Sequence, residues 1–99
     1  MNDDRIDPGP DASIEMAFPA HPGEVLRDWI DGHKVTVTET ARRVGMSRAA
    51  LNRVLSGRGA MSPRLAVALE DMGWSDAAVW MGMQTQWEIA RVRQERSAA

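Results

Sequence analysis

The sequence contains no cysteine and no long apolar run, and both absences narrow the classes of protein it can belong to. Without cysteine there is no disulfide framework, no thiolate metal site and no cysteine nucleophile, and a reducing, cytoplasmic setting fits. No apolar stretch approaches the roughly 18 residues that would span a bilayer, so no contact with a membrane is expected. The N-terminal residues are acidic and interrupted by Pro8 and Pro10, unlike the basic start and apolar run of a secretory signal.

Groups of residues that could carry catalysis or hold a metal are also lacking. There is no nucleophile with an adjacent base, no glycine-rich phosphate loop after a strand, and no pair of carboxylates in an apolar setting. The two histidines, His21 and His33, have no cysteine partners, and His21 is placed to cap the first helix. The sequence therefore predicts a non-enzyme without a metal or a cofactor.

The 99 residues are enough for one compact domain with a modest core. Residues 1–20 are rich in Asp, Pro, Gly and Ala and have few large apolar side chains, which predicts a flexible acidic tail. We expect the folded domain to span residues 21–94, followed by a flexible end at 95–99.

The formal charge of -2 hides a basic segment, residues 40–69, that holds six arginines and no acidic residue. The flanking parts of the chain are all net acidic. A basic segment in an acidic chain indicates one face for a polyanion and other faces for other partners. On charge alone, six arginines that merely solvate a surface remain an equally good explanation.

Helix start and stop signals divide the domain into five helices, at about 22–31, 37–44, 48–56, 63–72 and 75–93. The starts are a proline at the first helical position, a Thr36–Glu39 capping box, and serine caps at Ser47, Ser62 and Ser75. Glycine follows each of the first four helices. No segment alternates as a strand does and no repeat is evident, so the fold class is all-α.

The third helix divides into two faces at about 100° per residue. One face carries the groups that can read base edges in a DNA major groove, namely Arg48, Ala49, Asn52 and Arg53. The opposite face is apolar and carries Ala50, Leu51, Val54 and Leu55. Arginine suits guanine, asparagine suits adenine, and the alanine methyl can touch a thymine methyl.

The spacing of residues around this helix favours a helix-turn-helix over about 37–56. Such a motif needs a small residue in its first helix, a glycine in the turn and apolar wedges in the second helix. Ala41, Gly45, Leu51 and Val54 occupy these positions. A plain helical hairpin with a solvated basic face is the alternative.

Three stretches carry a family resemblance, namely "HPGEVL" (21–26), "TETARRVGMSRAALNRVLSGRGAMSPRLAVAL" (38–69) and "WMGMQ" (80–84) with Trp87 and Glu88. They resemble the HigA-type antitoxins of bacterial type II toxin–antitoxin modules, within the XRE/Cro-like helix-turn-helix group. The resemblance implies a Cro/lambda-repressor-like fold and a bacterial protein that is nucleoid-associated when bound to DNA. It also implies a homodimer that represses its own operon and neutralises a HigB-like mRNA-cleaving toxin.

Two further sets of residues follow from the helix arrangement. Residues at helix starts or in the loop after the third helix are candidates for contacts to DNA phosphates, namely Thr38, Ser47, Arg58 and Arg64. One of Arg42 and Arg43 is expected to point to solvent. In the C-terminal helix, which we expect to mediate dimerisation, apolar residues in excess of what a small core can hold suggest a dimer or partner surface at Met81, Trp87, Ile89 and Val92.

Two other functions stay open at this stage. The chain could be an XRE-type transcriptional regulator that acts without a toxin partner. It could also be a helical adaptor whose basic face binds an acidic protein.

Overall fold

The computed structural model describes residues 19–98, and every regular element in this range is an α-helix. The helices are α1 (Pro22–Gly32), α2 (Val37–Val44), α3 (Arg48–Leu55), α4 (Pro63–Asp71) and α5 (Ala77–Ala98). The predicted all-α, five-helix architecture is confirmed for this part of the chain, and α1 to α4 start and end within one residue of their expected bounds. Most of the predicted tail (residues 1–18) and Ala99 lie outside the described residues. None of the described helices is long and apolar enough to cross a membrane.

Local side-chain caps explain why three of the helices begin where they do. Thr36, Ser47 and Ser62 each accept a hydrogen bond from the backbone N–H three residues later, at 2.9, 3.0 and 3.1 Å. Each bond satisfies one of the N–H groups that a helix start leaves without a partner. The turn between α2 and α3 is closed by Gly45, whose φ of 75° is a left-handed conformation that glycine adopts without a steric penalty.

The start of α5 differs from the expectation that Ser75 caps it. Ser75 has a left-handed φ of 66°, and the helix begins two residues later, at Ala77. The cap comes from Glu70 at the end of α4, whose Oε1 accepts a hydrogen bond of 2.6 Å from the Ala77 N–H. Residues 95–98, which the sequence places in a flexible end, continue α5, because residues 90–98 contain strong helix formers and no glycine or proline.

A single core holds the five helices together. α3 packs against both α1 and α2, α4 packs against α2 and α5, and α5 also reaches α1. The fully buried side chains include Leu26 of α1, Leu51 of α3 and Trp80 of α5. The wedge residues of the helix-turn-helix are buried as expected, with Ala41, Leu51 and Val54 all in the core. The helix-turn-helix is therefore built into the domain and is fixed on its inner side.

Candidate nucleic-acid interface

The outer face of α3 presents the four residues that the sequence singles out for base contact. Arg48, Ala49, Asn52 and Arg53 are all solvent-exposed, whereas the opposite side of the helix is packed in the core through Leu51, Val54 and Leu55. Because α3 is held by α1 and α2 behind it, this face is a fixed surface of guanidinium, amide and methyl groups. These groups are suited to hydrogen bonding and apolar contact with base edges.

The four candidates for phosphate contact are also exposed. Thr38 is in the first turn of α2, Ser47 caps α3, and Arg64 is in the first turn of α4. Arg58 lies in the loop after α3, where its Nε is 3.5 Å from the Ser56 hydroxyl. The arrangement brings hydroxyls and guanidiniums to helix N-termini, where the backbone N–H groups and the helix dipole also favour a phosphate. The roles of all eight residues remain predictions.

Glu39 reduces the effective charge of the basic segment. It lies one residue before that segment, so the count of charges over residues 40–69 did not include it. Its carboxylate accepts hydrogen bonds from Arg42 Nε at 3.2 Å and Arg43 Nε at 3.0 Å. These two guanidiniums hold the pKa of the Glu39 carboxyl below its usual range. The Glu39 carboxylate thus pairs with the arginines, and the predicted Thr36–Glu39 capping box forms only in part. Its one hydrogen bond runs from the Glu39 N–H to the Thr36 hydroxyl. The spacing of three and four residues is the helical signal that could have revealed these pairs.

Both Arg42 and Arg43 are exposed while paired with Glu39, so the structure separates the six arginines into two groups. Among the acidic residues of 19–98, none lies within ion-pair distance of the other four, Arg48, Arg53, Arg58 and Arg64. These four are also the arginines assigned to base or phosphate contact. Within the basic segment, the arginines that no carboxylate of residues 19–98 pairs with therefore lie on α3, in the loop after it and at the start of α4.

The "HPGE" sequence fixes the far end of α3 against the start of α1. His21 is buried, and its Nδ1 accepts a hydrogen bond of 2.9 Å from the Gly23 N–H, so the predicted cap of α1 is confirmed. Gly23 lies directly on the last turn of α3, where a Cβ would be 1.9 Å from the Val54 carbonyl oxygen. Only glycine allows this approach of the two backbones.

The "WMGMQ" sequence holds two loops to α5. The indole Nε1 of Trp80 donates a hydrogen bond of 2.6 Å to the Trp74 carbonyl in the α4–α5 loop. One turn later the buried Gln84 accepts, through Oε1, a hydrogen bond of 2.8 Å from the Met61 N–H at the end of the α3–α4 loop. Both bonds are buried, so these two positions fix the connections on either side of α4.

The structure divides the predicted dimer or partner surface into two parts. Ile89 and Val92 are 38% and 52% exposed on α5. Met81 is partly buried against the core. Trp87 packs edge-on against His21, with ring centroids 4.6 Å apart, and the Arg91 guanidinium lies 4.9 Å from its ring centroid on α5. Trp87 therefore has an internal role in addition to any surface role.

Both histidines pack against aromatic rings. Residues 19–98 contain no group of three or more histidine and acidic side chains that could hold a metal ion. The exposed His33 ring stacks on Trp29 and Trp74, at centroid distances of 5.6 and 4.8 Å. The His33 Nδ1 atom also lies 2.9 Å from the Trp29 carbonyl oxygen. Both histidines thus serve packing and capping within this part of the chain.

Two curated proteins share most of their length with this chain, although no protein-family model matches it. Virulence-associated protein A of Dichelobacter nodosus is 32% identical over 80 residues, which cover 79% of this chain and 78% of that protein. The HTH-type transcriptional regulator YddM of Escherichia coli is 27% identical over 77 residues, which cover 78% of this chain and 82% of that protein.

Solved structures share the fold. PA4674 of Pseudomonas aeruginosa, solved in complex with its operator DNA, has a TM-score of 0.75 at 25% identity and covers 81% of this chain and 89% of that chain. The antitoxin HigA of Pseudomonas aeruginosa, solved with the higBA promoter, has a TM-score of 0.74 at 23% identity and covers 81% and 88%. The chain belongs to the family of virulence-associated protein A, and it shares the helix-turn-helix fold of solved HigA antitoxins.

Proposed function

We propose that this protein binds operator DNA in its own promoter as a homodimer, represses transcription there, and neutralises a HigB-like mRNA-cleaving toxin. The observation that carries the DNA-binding part is the outer face of α3. Its four exposed polar or small residues are backed by a packed core, and neither its two arginines nor Arg58 and Arg64 pair with a carboxylate of residues 19–98. Arg48, Ala49, Asn52 and Arg53 would contact bases, and Thr38, Ser47, Arg58 and Arg64 would contact phosphates.

Substitutions on α3 and α4 are expected to affect binding differently. Arg48→Ala or Asn52→Ala should lose about 1–3 kcal/mol of operator binding free energy and relax the preference at one base position, because a base contact is removed. Arg64→Ala should weaken binding to operator and random duplexes alike, because phosphates are the same in every sequence. Fluorescence anisotropy with both duplexes at fixed salt measures, for each variant, the ratio of its affinities for operator and random DNA. Equal losses on both duplexes for all three variants would rule out the assignment of roles.

The homodimer is supported by the exposed side of α5. Exposed residues recur there at alternating intervals of four and three, as on a helix that packs along another helix. They are Ala78, Gly82, Thr85, Ile89, Val92 and Arg96. The apolar part of this row, Ile89 and Val92, would pack against the same row of a second copy in a two-fold dimer. Such a dimer would bind an operator with two half-sites related by the same symmetry.

A charge placed in this row should dissociate the dimer. Ile89→Glu is expected to raise the dimer Kd at least about tenfold, because it buries an unpaired carboxylate at an apolar contact. Gln86→Glu adds the same charge at an exposed position outside the row and is the control. Sedimentation equilibrium over a range of protein concentrations measures both constants. Equal dimer constants for the two variants would assign the dimer to another surface.

Toxin neutralisation rests on the family and on the acidic parts of the chain. Asp28 and Asp31 are exposed on α1, away from the basic segment in sequence, and would suit a basic ribonuclease. The test is co-expression with the product of the adjacent gene, scored by rescue of growth and by co-purification. The Arg48→Ala/Asn52→Ala double variant is the control, since it should lose operator binding and keep the rescue.

A transcriptional regulator without a toxin partner is the second candidate, because the relative YddM is named as an HTH-type transcriptional regulator. Operator binding without any effect of the neighbouring gene product on growth would favour it. In neither case do we expect the chain to be an enzyme.

A further inference from the structure

One buried titratable side chain, His21, lies between three elements and is not accounted for by its role as a cap. Its exposed fraction is 4%. Nδ1 accepts from the Gly23 N–H of α1, and the ring packs edge-on against Trp87 of α5. Because Nδ1 is an acceptor, the neutral ring carries its proton on Nε2. That atom is buried and makes no hydrogen bond of good geometry within residues 19–98.

The third element against His21 is the loop after α3. A Cβ on Gly57 would lie 3.9 Å from the His21 ring, so the loop backbone lies close to it. The same loop folds back onto the end of α3, because the N–H groups of Arg58 and Gly59 both donate to the Arg53 carbonyl, at 2.9 and 2.8 Å. The imidazole thus supports a loop that is tied to Arg53 on one side and carries Arg58 on the other.

Burial keeps the ring neutral despite two carboxylates nearby. Burial lowers the pKa of His21, and the carboxylates of Glu24 on α1 and Glu88 on α5, with the Gly59 backbone, only partly offset this effect. A protonated ring would also lose its Nδ1 lone pair and with it the hydrogen bond from Gly23. The neutral, Nε2-protonated ring is therefore the form that fits between α1, α5 and the loop.

We propose that His21 is a positioning residue for operator binding, whose ring, held between Trp87 and the Gly57–Gly59 backbone, fixes the loop that presents Arg58 to a DNA phosphate. This inference rests on the proposed operator binding. A cap alone needs only an acceptor atom, which asparagine or serine supplies at less volume. The ring adds contact with Trp87 and with the loop, and this contact links α5 to the border of the α3 face.

The test compares His21→Asn with Arg58→Ala. Asparagine keeps an acceptor for the Gly23 N–H but removes the ring, so the domain should fold while the loop loses its support. Operator affinity is measured by fluorescence anisotropy between 50 and 200 mM NaCl. Each variant should reduce the salt slope by about one phosphate contact, so that the loss of affinity over this range is about 3.5-fold smaller than for the wild type. The double variant should match either single variant, because both remove the same contact.

Several outcomes separate the inference from the function on which it rests. If the wild type does not bind the operator, the proposed function fails. The inference is overturned, and operator binding stands, if the wild type binds and Arg58→Ala or a folded His21→Asn keeps the full salt slope. It is also overturned if the slope reductions of the two single variants add in the double variant. Trp87→Leu removes the other support of the ring and should also flatten the slope, which covers the case that His21→Asn does not fold. If His21→Asn and Trp87→Leu both unfold, His21 serves the fold alone and the inference is overturned.

Discussion

Gly23→Ala is expected to destabilise the domain by about 3 kcal/mol or more, at the upper end of what overpacking causes. The added Cβ would lie 1.9 Å from the Val54 carbonyl oxygen and 2.9 Å from the Val54 carbonyl carbon. Both are backbone atoms, so no rotation of a side chain can relieve the overlap. α1 must then move away from α3, which breaks the contact that holds α3 from behind. A loss of this size is a large share of the stability of a small domain.

Gly32→Ala is the matched control, since Gly32 is the last residue of the same helix and a Cβ there meets nothing within 4 Å. Its stability should be unchanged or higher by up to about 1 kcal/mol, because alanine loses less backbone entropy than glycine in a helix. Guanidinium unfolding followed by circular dichroism, at one protein concentration for all variants, measures the difference. Equal midpoints for the two variants would contradict the close approach of α1 and α3.

The helix starts could be predicted from the sequence because a cap is a local structure. Thr36, Ser47 and Ser62 each act on a backbone group three residues away, so the residues that make the bond are adjacent in the chain. The same holds for the two faces of α3, which follow from helical geometry alone. These features depend on short sequence separation and not on how the helices pack.

The features that the sequence did not predict depend on tertiary contacts. Ser75 fits a helix start, but Glu70 supplies the cap from the preceding helix, and the serine adopts a left-handed conformation instead. The sequence places Trp87 on a dimer or partner surface, and the structure adds its contact with His21, which lies 66 residues earlier. The pattern of apolar residues within one helix does not indicate which distant residue will pack against that helix. Two missed features are local instead. The pairs of Glu39 with Arg42 and Arg43 follow helical spacing, and the extension of α5 over residues 95–98 follows from local helix formers.

Trp80 and Gln84 lie one helical turn apart on α5, and each holds one loop by a buried hydrogen bond. The second large loss of stability is expected on truncation of Gln84. Gln84 is 4% exposed, and it satisfies the Met61 N–H through Oε1 while its Nε2 donates to Glu88 at 2.8 Å. Truncation would leave the buried Met61 N–H without a partner and a small cavity in its place. Gln84→Ala should therefore destabilise the domain by about 2–3 kcal/mol.

Gln86→Ala is the matched control for Gln84→Ala, because Gln86 is exposed on the same helix and its truncation should change stability by less than about 0.5 kcal/mol. Chemical unfolding gives both values, and amide hydrogen exchange at Met61 gives a more local measure. Exchange at Met61 should accelerate in Gln84→Ala by more than the loss of global stability explains, since the N–H loses its own acceptor. If Met61 exchanged only in proportion to global unfolding in this variant, Gln84 would stabilise α5 by packing and would not hold the end of the α3–α4 loop.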